Sequence, residues 1–345
     1  MMITLAIPVY NVEKFVRESL LSALNQTYHD LEILIVDDKS TDRSMDIVRD
    51  TIAQHPRKDI VRIIDHRVNK GLGDTRNTSI EEARGQYIFF MDSDDLITPD
   101  CIQRLATYMK EKPVDFIASS RELRSFEGKL IAEDVYQPAL VDEKTELAVA
   151  RFRYVQSNKI LGEVWNKLYD VDFLRKNNVQ CLPGVHVEDV SFSFQVNLAA
   201  TSCRLVPDIT YIYRVYEGQS FAAFRNNRDR AVYLSECFMK IKKYNLNLIR
   251  NFHKDPIYVF LLIGIYSVSF LHSEMIFESI QLTRKEKDYY LKELIDYPLS
   301  LFKIIKTHKS LKKQFTIWFL SNCPTFIRNL IYKKITKYKY DYEYN

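Results

Sequence analysis

The sequence predicts an α/β fold, a mostly parallel sheet with helices on both faces. Two observations predict it. Through residue 119, apolar runs of strand length alternate with helical patterns, the order that builds strand–helix–strand units. Those runs are apolar throughout rather than alternating, as expected for strands covered on both faces. The chain has 345 residues, enough for two or three compact units. Apolar residues make up 46% and charged residues 27%, which excludes global disorder.

The elements follow in order. Residues 3–9 (ITLAIPV) form the first strand; Pro8 either ends it or lies where no ladder donor is needed. Asn11 is the expected cap of a helix that places Val12, Phe15, Val16, Leu20 and Leu24 on one face. LEILIVD (31–37) is the second strand. Ser40-Thr41-Asp42 opens a helix with Met45, Val48 and Ile52 inward. IVRIID (60–65) is the third strand, residues 74–84 a helix ending at Gly85, and QYIFFM (86–91) the fourth strand. Pro99 and Asp100 start a helix to about Lys112, and VDFIAS (114–119) is the fifth strand. Residues 120–235 read as a mixed α+β region and 236–345 as mostly helical and basic, giving divisions 1–119, 120–235 and 236–345.

The five cysteines form no C-x-x-C pair, which argues against a disulfide framework or zinc knuckle and fits a reducing, cytoplasmic setting. The N-terminal segment lacks the basic region and cleavage site of a signal peptide. The longest uncharged apolar run, Pro256 to Leu271, is short for a membrane span and reads as a buried core helix. Net charge is +4, but residues 300–345 carry ten Lys/Arg against two Asp/Glu, a surplus of eight, which leaves about −4 on residues 1–299.

In parallel sheets, ligands bind beyond the carboxyl ends of the strands. Strand two ends in Asp37-Asp38-Lys39-Ser40-Thr41-Asp42 and strand four in Asp92-Ser93-Asp94-Asp95. Two acidic clusters on one sheet edge repel unless a cation joins them, and hard carboxylate oxygens suit Mg²⁺ or Mn²⁺. Capping accounts for one residue per cluster but not for Asp92, Asp94 and Asp95 together. Asn69 to Asn77 (NKGLGDTRN) is a glycine-containing turn into a helix, where backbone N–H groups can approach phosphate; it is neither a Walker A loop nor a dinucleotide fingerprint. Lys70 and Arg76 either face a diphosphate or are solvated.

The series IPVYN (7–11), EILIVDDKSTD (32–42), NKGLGDTRN (69–77), ARGQYIFFMDSDD (83–95) and VED (187–189) resembles the inverting family 2 glycosyltransferases of the GT-A fold. EVWNKLYDVDFL (163–174) and HVEDVSF (186–192) resemble that family's acceptor half. The resemblance implies a GT-A, Rossmann-like nucleotide-binding sheet, an acceptor subdomain and a helical C-terminal region. It implies that Pro8, Tyr10 and an acid after strand two hold the nucleotide. Asp38 is the choice for the base, with Asp37 in support. Asp92 is assigned to the ribose, Asp94 to a bridging Mn²⁺ or Mg²⁺, and Arg76 to the floor of the site. Lys39 departs from the family, where Gly is common, and pays a steric cost if the turn needs positive φ.

The implied reaction moves a sugar from a nucleotide-sugar, a UDP-sugar by family habit, to a hydroxyl of a glycan or lipid-linked glycan. A carboxylate must take the hydroxyl proton as attack proceeds. Asp189 is the choice for this base and Glu188 the fallback; one of them is also expected to cap the following helix. His186 is a candidate acceptor contact. Trp165 either lines the acceptor site or packs the interior. Lysines flanking the aromatic stretch within 303–339 fit an anionic membrane surface or snorkel over packing helices, with Pro324 as a breaker. This allows peripheral attachment to the inner face of the cytoplasmic membrane. No nucleic-acid motif accompanies the charge. A catalytically degenerate nucleotide-sugar scaffold and a nucleotidyltransferase are the alternatives; the latter lacks its basic glycine-rich signature between Ile3 and Asn11.

Overall fold

The computed structural model describes residues 1–216, 227–300, 311–325, 327–332 and 334. The chain forms two compact units, Met1–Tyr216 and Glu217–Asn345. The divisions expected at 119/120 and 235/236 fall inside a strand of the first unit and inside the helix Arg228–Leu248 of the second.

The first unit is built on one sheet of ten strands: β1 (Ile3–Val9), β2 (Leu31–Asp37), β3 (Val61–Asp65), β4 (Tyr87–Phe90), β5 (Leu96–Ile97), β6 (Phe116–Ser125), β7 (Leu130–Asp134), β8 (Ala139–Asp142), β9 (Lys167–Asp170) and β10 (Ser202–Val215). Their order is β3-β2-β1-β4-β9-β6-β10-β5, with β7 on β6 and β8 on β10. The first four are mutually parallel, as expected for fully apolar runs. The fifth predicted strand, β6, does not follow β4: the short antiparallel β9 lies between them. β6 then runs parallel to β10. The second half of the sheet is therefore mixed.

β1 runs through Pro8. Ala6 C=O accepts from Met91 on the β4 side, and Val9 C=O accepts from Asp38 on the β2 side. By strand alternation the nitrogen of Pro8 faces the β4 side, where the ladder stops at Ala6 and no donor is needed.

The helices of this unit are α1 (Val16–Leu24), α2 (Ser44–Ala53), α3 (Leu72–Glu82), α4 (Cys101–Glu111), the single turn α5 (Ala148–Ala150), α6 (Val171–Lys176) and α7 (Asp189–Ala199). α1 starts later than predicted, and Asn11 does not cap it. Asn11 Oδ1 accepts from Thr41 N at 2.8 Å, Val12 N donates to Ser44 Oγ at 2.7 Å and Glu13 N to Asp42 Oδ2 at 3.0 Å. The segment after β1 is thus stitched to the loop after β2. α3 ends at Glu82, short of Gly85, because Arg84 N and Gly85 N turn to the side chains of Glu32 and Thr4.

The second unit contains the helices α8 (Arg228–Leu248), α9 (Ile257–Glu278), α10 (Arg284–Ile295) and α11 (Leu311–Asn322). Among the described residues α9 is the one helix long and apolar enough to cross a membrane. It packs on the other three, burying Leu261, Leu262, Ile265, Phe270 and Ile276. α11 stops at Asn322, just before Pro324. Of the basic region 303–339, residues 303–310, 326, 333 and 335–339 lie outside the described residues. All five cysteines are free thiols.

Candidate active site

The loops after β2 and β3 and the turn into α3 converge on Asp38. Its side chain is buried. Oδ1 accepts from Lys70 N at 2.8 Å and pairs with His66 Nδ1 at 2.8 Å; Oδ2 accepts from Gly71 N at 2.7 Å. The N–H groups of Lys70 and Gly71 are therefore spent on Asp38 rather than held open for phosphate. Gly71 sits at φ 93°, which a side chain rarely tolerates. Asp38 is 2% exposed and organises this loop from within. Asp37 Oδ1 accepts from Ser40 N at 3.0 Å, an Asx-type turn. Lys39 adopts φ 65°, so the steric cost foreseen for a non-glycine is present. Pro8 is buried, and Tyr10, at the end of the same segment, is 47% exposed.

The second cluster surrounds Asp92, Asp94 and Asp95, each offering an oxygen within 4.8 Å of the others. The end of β10 grips it. Tyr211 OH donates to Asp95 Oδ2 at 2.8 Å and accepts from Asp92 N at 3.1 Å. Arg214 N donates to Asp95 Oδ1 at 2.9 Å, and its Nε to the carbonyl of Asp94. Tyr216 OH donates to Asp94 Oδ2 at 2.7 Å, while its ring stacks on Phe15 at 4.3 Å. Burial, with Asp92 as neighbour, raises the Asp94 pKa, and burial with Asp94 and Asp92 raises Asp95 well above the carboxylate range. Asp95 is wholly committed to the loop. Among the described residues Asp92 Oδ2 and Asp94 Oδ1 remain for a cation, and two half-buried hard oxygens fit Mg²⁺ or Mn²⁺.

Arg76 joins this cluster to the acidic pair before α7. It is 2% exposed, neither solvated nor open to a ligand. Nη2 donates to Asp92 Oδ1 at 2.6 Å and Nη1 to Glu188 Oε1. Burial works against its charge, but Asp92 and Glu188 outweigh burial and raise its pKa. Gly73, one turn earlier, lets α3 approach: a Cβ there would lie 3.2 Å from the Cβ of Cys181 and 3.4 Å from Glu188. Asn77 pairs in both directions with the backbone of Cys181, at 2.8 and 2.9 Å. α3 thereby carries the loop that delivers Glu188 and Asp189.

Burial raises the Glu188 pKa and Arg76 pulls it back. Glu188 precedes α7 without capping it, and among the described residues Asp189 Oδ1 accepts from its neighbour Val190 N at 2.9 Å. Asp189 is half-buried. Burial first, then the Glu188 charge, against Arg76, push its carboxyl up to about 7. Val187, just before, holds φ 66°, a strained conformation for a β-branched residue, of the kind stored at functional sites. His186 is half-buried beside it. Trp165 does not line an open surface. It is 7% exposed, stacked on Tyr211 at 4.5 Å and Tyr213 at 5.4 Å, with the Arg121 guanidinium 4.9 Å from its ring.

Sequence reading missed His66, Tyr211, Arg214 and Tyr216. His66 carried a signal, lying one residue past the third strand on the ligand edge. The other three come from a strand whose place beside β6 only the tertiary pairing reveals.

The glycosyl transferase family 2 model matches residues 4–154. "Putative glycosyltransferase EpsH" of Bacillus subtilis (strain 168) is 36% identical over 218 residues, 62% of this chain and 61% of that protein. The poly(ribitol-phosphate) beta-glucosyltransferase of Bacillus spizizenii is 32% identical over 220 residues, 62% of this chain and 32% of that protein. The chain therefore spans less than two thirds of the length of these relatives. The crystal structure of S. aureus TarS 1-349 in complex with UDP-GlcNAc superposes with a TM-score of 0.67 at 21% identity, covering 93% of this chain and 90% of that one. That likeness fixes the architecture as GT-A. Residues 4–154 carry a glycosyl transferase family 2 domain.

Proposed function

We propose that the protein is an inverting glycosyltransferase that moves a sugar from a nucleotide-sugar to a hydroxyl of a glycan or lipid-linked glycan in cell-envelope polysaccharide assembly. The observation that carries the reading is the single guanidinium of Arg76, which bonds Asp92 on the nucleotide edge and Glu188 beside the candidate base. Catalysis by single displacement needs those two sites in fixed relation.

Tyr10 offers an exposed ring for the base to stack on, over a loop set by Asp37 and Asp38. Asp92 serves the ribose and, with Asp94, the divalent cation. When bound there, a cation neutralises the diphosphate as it leaves. The acceptor oxygen attacks the anomeric carbon, the bond from that carbon to the phosphate oxygen breaks with its electrons, and the acceptor proton passes to Asp189. Glu188, tied to Arg76, is less free to accept that proton. A carboxyl pushed up to about 7 is well matched to a proton transfer near neutral pH.

The first test is calorimetric titration with UDP and GDP, each with and without Mn²⁺. UDP leads because the structure of TarS that shares the fold was solved with UDP-GlcNAc. Mn²⁺-dependent binding of one nucleotide is expected; its absence from folded protein favours the scaffold reading. The second is Asp189→Asn, expected to lower kcat by about 10²–10⁴ with nucleotide affinity retained. In the unsubstituted protein kcat/KM should rise with pH along a limb near 7, because the base acts deprotonated. Full turnover by Asp189→Asn would remove the base assignment.

A further inference from the structure

The helix α11 presents two different faces. Gln314, Ile317 and Leu320 point inward and are fully buried. Gln314 accepts from Tyr297 OH at 2.5 Å and donates to Ser267 Oγ at 3.1 Å, while Ser321 Oγ accepts from Tyr297 N at 3.0 Å. The inward face is thus fixed by shape and by hydrogen bonds. On the other face Phe315 is 48% and Phe319 37% exposed. Trp318, half-buried, adjoins them with its ring 5.8 Å from that of Phe315, and Lys312 is exposed on the same side. Three large aromatics at positions i, i+3 and i+4 cover one stripe of the helix. Among the described residues the helix is docked by its other face, and these rings are left at the surface.

We propose that this aromatic face of α11 seats the protein in the interface of an anionic lipid bilayer. Two observations select that occupant. Residues 300–345 carry ten Lys/Arg against two Asp/Glu, so the segment of sequence that contains this helix is strongly cationic, while the rest of the chain is slightly acidic. Phe and Trp flanked by Lys is the composition that rests at the headgroup level, with rings in the acyl boundary and ammonium groups among the phosphates. A second copy of the same helix would bring two such cationic segments together, which charge opposes. α11 would lie along the surface rather than cross it, since 12 residues fall short of the roughly 20 needed to span.

The inference does not depend on the transferase reading, and its test uses no turnover. The full chain is mixed with vesicles of phosphatidylcholine alone and of phosphatidylcholine with phosphatidylglycerol, and binding is read by sedimentation. Trp318 reports insertion through a blue shift and through quenching by brominated acyl chains; Trp318→Phe is the control, because the other Trp, Trp165, is buried. Binding to anionic vesicles, weakening as salt rises, is expected. Phe315→Ser with Phe319→Ser should lower partitioning by about tenfold or more. Both positions are exposed, and unchanged far-UV circular dichroism would certify the fold. Lys312→Glu with Lys334→Glu should weaken the anionic preference alone. No vesicle binding at low salt, equal binding to neutral vesicles, or binding indifferent to the Phe substitutions would each overturn the proposal. So would a dimer that dissociates on those substitutions while vesicle binding is unchanged.

Discussion

The guanidinium of Arg76 lies between two carboxylates that the sequence separates by nearly a hundred positions; solvent scarcely reaches Arg76 or Glu188, while Asp92 stays partly exposed. In such a place the charges are costly singly and tolerable only together. Arg76→Gln would leave Glu188, 2% exposed, with no cation, a loss of about 3–5 kcal/mol for breaking a buried pair. Arg76→Lys keeps the charge but replaces a planar fork by one point donor, so it should bridge only one carboxylate and fall between. Urea denaturation of the three proteins should order their midpoints as Arg, Lys, Gln. A Gln variant as stable as the parent would mean that the bridge contributes no stability. The sequence marked Arg76 as a candidate yet left solvation open, because only the folded chain shows that α3 buries it. Lys39 was legible in a different way: Gly is common there in the family that the sequence resembles, and the structure holds Lys39 at φ 65° inside the turn that Asp37 closes on Ser40 N.

At the level of elements, the end of β10 acts on the acidic loop as one clamp. Tyr211 and Arg214 of β10 and Tyr216 just past its end between them engage Asp92, Asp94 and Asp95. Tyr216 matters most for a cation, since its hydroxyl occupies Oδ2 of Asp94 and so fixes which oxygen turns outward. Outer groups of this kind typically change metal affinity by about 10–100-fold when removed. Tyr216→Phe should weaken Mn²⁺ binding in the presence of UDP by about tenfold, while the retained ring still stacks on Phe15. Calorimetric titration of Mn²⁺ into protein with UDP measures it, and unchanged affinity would leave Tyr216 without a positioning role. The same strand shows why part of the fold was unreadable. β1, β2 and β4 are buried on both faces and spell themselves out as apolar runs. β10 holds Arg204, Pro207 and Asp208 and changes register twice against β6, so no single period runs along it. β9 is only four residues (KLYD), and its antiparallel place between β4 and β6 depends on pairings distant in sequence.

For the molecule as a whole, the site is a place where function is set against stability. Asp92, Asp94 and Asp95 crowd three carboxyls together, and the raised pKa values of Asp94 and Asp95 state that their ionised forms are disfavoured in the fold. Replacing Asp94 with Asn keeps an acceptor for Tyr216 and removes one of the repelling charges. The Asn variant should therefore melt at or above the parent temperature when no ligand is present, the usual direction when a binding site is neutralised. Ligand reverses the order. A complex that forms only with the native state stabilises it by about 2.7 kcal/mol at a hundredfold excess over Kd. For a unit of the size of Met1–Tyr216 this is a rise of several degrees in Tm. Mn²⁺ with UDP should thus raise the parent midpoint by several degrees, the chelator EDTA should cancel the rise, and Asp94→Asn should show almost none. Thermal melts of both proteins, with and without Mn²⁺ and UDP, make the comparison. A variant less stable than the parent without ligand would show that Asp94 is structural. A variant that keeps the ligand shift would show that the cation is held elsewhere.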